Sequence, residues 1–109
     1  MSKTAKPLVW IKGKIKTPPF SKSARLKAGF LLRKLQISES VEMPDSRPMP
    51  IIEKNCHELR INDFNKTWRI IYHIDDDAVV ILEVFVKKKQ TTPTEIIDTC
   101  KKRLTRYKE

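Results

Sequence analysis

Glycine is nearly absent from this sequence, which holds only Gly13 and Gly29, so no glycine-rich loop is available to cradle the phosphates of a nucleotide. Nucleotide hydrolysis on such a loop is disfavoured. The two cysteines, Cys56 and Cys100, form no framework of spacings, and with the two histidines they make no C-x-x-C or H-x-x-x-H pair of the kind that holds zinc. Both are expected to be reduced, structural residues of a cytoplasmic protein that uses no metal and no cofactor. No signal-peptide pattern is present. The longest apolar run, Ala78–Val86, is interrupted by Glu83 and is far too short to span a bilayer. No helical segment joins a wholly basic face to large exposed aromatic residues, so a membrane partner is not expected. Acidic residues are missing altogether from residues 1–38, which hold ten Lys and Arg.

Charge is therefore distributed unevenly along the chain. The formal net charge is +10 and the pI about 9.8. Residues 39–85 hold five basic and ten acidic residues, and residues 86–109 hold eight basic and three acidic. The two positive ends would attract RNA, DNA or an acidic protein partner. At 109 residues the chain fits one domain with a single modest core, with residues 1–6 as a frayed terminus.

Periodicity divides the rest. Leu8–Lys12 reads as a short strand with Trp10 as a core anchor, and Pro18-Pro19 forbids regular structure in the basic loop that follows. Ser21 or Ser23 offers an N-cap to a helix reaching about Ile37, in which Ala24, Ala28, Leu31 and Leu35 form one buried stripe that Leu32 broadens. Ser38–Pro50 carries Pro44, Pro48 and Pro50 and reads as an irregular arm. After three strands, Thr91–Thr94 is positioned to cap a C-terminal helix with Ile96, Ile97, Cys100 and Leu104 inward and Lys101, Lys102, Arg103, Arg106 and Lys108 outward. The order implies an α+β fold, a mostly antiparallel four-stranded sheet with N-terminal and C-terminal helices stacked on one side and an open working face on the other.

Strand parity says which charges that open face carries, because successive side chains point to opposite sides. In His57–Asn62, Leu59 and Ile61 share a side with His57, leaving Glu58, Arg60 and Asn62 opposite. In Lys66–Ile74, Trp68, Ile70, Tyr72 and Ile74 make an apolar row, with Arg69, Ile71 and His73 on the reverse. In Ala78–Lys89, the row Ala78, Val80, Leu82, Val84 and Val86 leaves Glu83, Phe85, Lys87 and Lys89 facing away. Arg60, Arg69, Lys87 and Lys89 would then emerge together, with Glu58 and Glu83 among them, as a face rich in phosphate-binding donors. The plainer alternative is a solvated sheet face whose charges only pair with one another.

The ordered segments LVW at 8–10, LLRKLQ at 31–36, the proline-containing arm, HELR at 57–60, WRIIY at 68–72, VFVKKKQTTP at 84–93 and Arg103 carry a resemblance. The chain resembles RelE/ParE-superfamily toxins of type II toxin–antitoxin systems, nearest their phage-derived HigB-like branch. The resemblance implies a RelE-like fold and a ribosome-dependent mRNA endonuclease, a monomer or weak dimer when free, silenced by a cognate helix-turn-helix antitoxin. By motif, Arg60 and Arg69 match strand arginines that hold phosphate in RNA-cleaving relatives, and Lys87, Lys88 and Lys89 fall at the basic cluster that ends the last strand. Relatives often place a Tyr or His just after that cluster, where Gln90–Thr94 offers neither.

Metal-independent RNA cleavage needs a ribose 2′-hydroxyl to attack the adjacent phosphorus while cations stabilise the phosphoryl oxygens. Arg69 is the expected main clamp, with Arg60 on the same or a neighbouring phosphate. Repulsion among three adjacent lysines lowers the pKa of at least one, which makes Lys87 or Lys89 a candidate proton donor or base. His73 is a further acid–base candidate, since parity puts it on the side of Arg69. Lys101 and Lys102 are expected to contact RNA without sequence preference. Two readings of other classes stay open: a non-enzymatic, ParE-like gyrase-binding toxin, and an inactive RNA- or antitoxin-binding relative.

Overall fold

Strand alternation and helical periodicity both carry through to the computed structural model, which describes residues 5–11, 20–86 and 91–109. Its elements are β1 (Leu8–Trp10), α1 (Lys22–Gln36), β2 (Ser46–Pro48), β3 (Cys56–Asp63), β4 (Lys66–Ile74), β5 (Val79–Val86) and α2 (Thr94–Lys108). Among the described residues they make one five-stranded sheet in the order β1-β5-β4-β3-β2. β1 runs parallel to β5 and the other pairings are antiparallel. The fifth strand, β2, comes from the arm that the sequence reading left irregular. Three residues with a proline at the end give no alternation to read, yet Ser46, Arg47 and Pro48 pair with Leu59, Glu58 and His57. No described helix is long and apolar enough to cross a membrane.

The helices do not share a side of the sheet. α1 buries Ala24, Ala28, Leu31, Leu32 and Leu35, the expected stripe, against Leu59, Ile61, Trp68, Ile70, Tyr72, Val79 and Ile81. α2 places Cys100 and Leu104 on the opposite side, against Cys56, Ile71, Ala78, Val80 and Leu82. The expected open face is therefore partly covered by α2.

A bulge in β5 explains why parity failed on that strand. Ile71 pairs with Glu83 while Tyr72 pairs with Ile81, so Leu82 is an extra residue on β5. Val80 and Leu82 consequently pack towards α2, whereas Val84 and Val86 pack towards α1. The single row of Ala78, Val80, Leu82, Val84 and Val86 does not exist. Trp10, expected as a core anchor, is 39% exposed at the edge of the sheet, and Trp68 is the core tryptophan instead.

Side-chain caps fix the ends that position these layers. Ser21 Oγ accepts the amide of Ala24 at 3.1 Å and caps α1. Asp63 accepts the amide of Ser21 and the indole N–H of Trp68, each at 3.0 Å, tying the end of β3 to the start of α1. The β3–β4 reversal is made by Phe64 and Asn65, with Phe64 at φ 54° and 92% exposed. At the other helix, Pro93 is the N-cap residue and no side chain caps it. The threonines expected there do otherwise: Thr92 donates to Glu58.

Candidate nucleic-acid interface

Register brings three arginines together on the α2 side of the sheet. Arg60 on β3 lies directly opposite Arg69 on β4, and Arg47 on β2 lies opposite Glu58 on β3. Two like charges facing each other repel, so the arrangement needs an anion. Glu58 is that anion. It is fully buried, and its Oε1 lies 3.4 Å from Arg47 Nη2 and 3.5 Å from Arg69 Nη1. Thr92 Oγ1 donates to its Oε2 at 2.9 Å, which fastens the segment leading into α2 to the cluster.

The three guanidinium groups differ in what they leave available. Arg69 is 6% exposed. Burial holds it below the ordinary guanidinium value, Arg60 and Arg47 add to that, and Glu58 opposes it; arginine remains charged regardless. Among the described residues, Arg69 Nε and Arg47 Nε are buried with no hydrogen-bond partner. Arg60 is half-buried, and among the described residues its side chain makes no hydrogen bond or ion pair. The patch thus combines three cations and one internal carboxylate, and its part-exposed members, Arg47 and Arg60, are suited to an external phosphate.

A second arginine–carboxylate contact lies where the bulge interrupts the sheet. Arg103 Nη1 donates to the carbonyl of Leu82 at 2.6 Å and to Glu83 Oε2 at 3.1 Å. A bulge leaves its extra residue outside the ladder, so α2 supplies the donor that the neighbouring strand does not. Arg103 is structural in this position.

The other sequence candidates do not converge on the patch. His73 is on the side of Arg69 but four residues along β4, roughly 13 Å away at the usual strand rise. It is buried, with Nδ1 3.5 Å from Cys56 Sγ. Burial lowers its pKa, so the imidazole is neutral at pH 7. Burial likewise raises Cys56 to about 11 and Cys100 to about 12, so both thiols stay protonated. Lys101 and Lys102 are exposed on α2. Each helical residue advances about 100°, which turns Lys102 away from the sheet and Lys101 to the flank opposite Arg103. Lys87, Lys88 and Lys89 lie outside the described residues. Among the described residues no three His, Cys, Asp or Glu side chains gather as a metal's donor set would.

Arg47, Thr92 and the binding role of Glu58 were missed from sequence. Parity put Glu58 beside the arginines, which was the available signal. Nothing local marked Arg47, because its strand has no period.

The model of the family described as Phage derived protein Gp49-like (DUF891) matches residues 19–105. No curated protein matches the chain. The matched span includes every member of the arginine cluster, all of α1 and most of α2.

Proposed function

The chain belongs to the Gp49-like family of phage-derived proteins, within the RelE-like group of toxin–antitoxin toxins, and from that premise we propose that it is a toxin of the HigB-like branch that cleaves mRNA on the ribosome. The single observation that carries the nuclease reading is the convergence of Arg47, Arg60 and Arg69 on one patch around Glu58. In the proposed reaction a ribose 2′-oxygen bonds to the adjacent phosphorus as the bond to the 5′-oxygen breaks. The 2′-hydroxyl proton passes to a base, and a proton is delivered to the departing 5′-oxygen. The products are a 2′,3′-cyclic phosphate and a 5′-hydroxyl. Arg60 contacts the phosphoryl oxygens directly, while Arg69 and Arg47, held by Glu58, supply positive potential from behind it. Lys87 or Lys89 carries the proton transfer, Lys88 holds a flanking phosphate, and Lys101 and Lys102 touch ribosomal RNA.

A helix-turn-helix antitoxin is the proposed neutralising partner, and the free toxin is a monomer or weak dimer in the cytoplasm. A non-enzymatic toxin is the second reading, favoured by one observation: among the described residues no His or Tyr side chain lies in the arginine cluster. Purified protein incubated with mRNA-programmed ribosomes in magnesium-containing buffer separates the two. Cleavage yielding cyclic-phosphate ends supports the nuclease, and intact mRNA beside inhibited gyrase supports the other.

A further inference from the structure

The α1 side of the sheet carries a feature that the arginine cluster does not use. A groove of about 200 Å³ opens between α1, β1 and β5, lined by Trp10, Phe20, Ala28, Gly29, Leu32 and Val84. Beside it, Leu26 and Phe30 stand on the outer surface of α1 at 65% and 63% exposure. Leu26, Gly29, Phe30 and Arg33 follow helical spacing, so they form one solvent-facing stripe along α1. Large apolar side chains on such a stripe mark a contact surface more often than chance exposure does.

Gly29 is the second observation. It sits in the middle of a 15-residue helix, where glycine weakens a helix relative to alanine. A Cβ built at Gly29 would meet nothing within 4 Å. The fold itself therefore has no steric need for glycine here, and what its missing side chain provides is close approach from outside.

Charge narrows what approaches. α1 carries Lys22, Arg25, Lys27, Arg33 and Lys34 and no acidic residue. Lys27 is paired with Asp45 at 3.1 Å and Lys34 lies over the Phe30 ring, whereas Lys22, Arg25 and Arg33 make no ion pair among the described residues. An apolar stripe with a glycine notch, flanked by unpaired cations, fits an amphipathic helix with one apolar row and acidic flanks.

We propose that the outer surface of α1, from Trp10 across Gly29 to Phe30, docks an acidic amphipathic helix of a partner protein. The surface lies on the opposite side of the sheet from Arg60 and Arg69, so the proposal stands whether or not the protein cleaves RNA. The test uses the full chain and three fluorescent probes: an acidic peptide of about 20 residues with leucine at helical spacing, a scrambled peptide of the same composition, and a single-stranded RNA of similar charge. The striped peptide is expected to bind at least about tenfold more tightly than the scrambled one, with amide shifts confined to α1 and β1. Gly29→Gln, which fills the notch from an exposed position, is expected to weaken it by about tenfold with a melting temperature that does not fall, and Arg60→Ala to have no effect. Equal binding of the two peptides, indifference to Gly29→Gln, shifts centred on Arg60, or RNA binding that Gly29→Gln abolishes would each overturn the proposal.

Discussion

Arg69 and Glu58, on neighbouring strands, form a buried ion pair 3.5 Å apart in which the carboxylate is fully buried and the arginine is 6% exposed. A pair so placed costs much desolvation and is weak evidence for stability, but removing one partner strands the other charge in the interior. The same carboxylate holds Arg47 and Thr92. Losing Glu58 therefore disturbs at least three contacts together.

Glu58→Ala is expected to lower stability by roughly 3–5 kcal/mol, because Arg69 is left charged and unpaired. The double substitution Glu58→Ala with Arg69→Met is expected to recover most of that loss. Urea unfolding of the wild type and the two variants checks both statements, and equal stability of the single and double variants would contradict them.

Arg60 and Arg69 should separate in their effects. Arg60→Ala removes an unpaired, half-buried side chain and is expected to change stability by no more than about 0.5 kcal/mol. It should nonetheless weaken RNA binding and lower the salt dependence by about 0.7, the share of one contact to a single strand. Arg69→Ala should lower stability as well as binding. Thermal melts beside fluorescence anisotropy at several salt concentrations make the comparison.

Arg103→Ala should destabilise the protein by roughly 1.5–3 kcal/mol, the range for a hydrogen bond involving a charged group, because the Leu82 carbonyl and Glu83 Oε2 each lose the bond from Arg103. Arg103→Lys should restore only part, since an ammonium does not reproduce the guanidinium fork. Slower amide exchange around Leu82 in the wild type than in either variant is the signature expected in hydrogen-exchange measurements.

Acid should weaken the fold in two windows. His73 has a lowered pKa, so the unfolded chain binds its proton more readily, and the stability present above about pH 6.5 is lost as pH falls below it. Asp63 is held low by hydrogen bonds from the hydroxyl and amide of Ser21. Its contribution is present above about pH 4 and is lost on further acidification. His73→Asn should flatten the slope of unfolding free energy as pH falls below about 6.5, whatever it does to the absolute value, and an unchanged slope would refute the assignment.

What was legible in the sequence was local. The α1 stripe, the Ser21 cap and the alternation of β3 and β4 are set by neighbours a few residues apart, and all appear as read. The bulge at Leu82 was not legible, because one extra residue in an apolar run leaves no mark while reversing every side chain beyond it. Nor does the apolar row of α2 encode which side of the sheet the chain crosses to. At the site, parity put Glu58, Arg60 and Arg69 on one side, but their pairing needed the β3–β4 register, and Arg47 needed a strand of three residues.

The central claim is that this arginine face acts on RNA phosphates, and mapping mRNA 5′ ends after brief induction of wild type and Arg60→Ala tests it most directly. The account predicts new codon-linked 5′-hydroxyl ends with the wild type and their loss with an Arg60→Ala variant of unchanged stability. Intact mRNA during growth arrest, or undiminished cutting by Arg60→Ala, would contradict it.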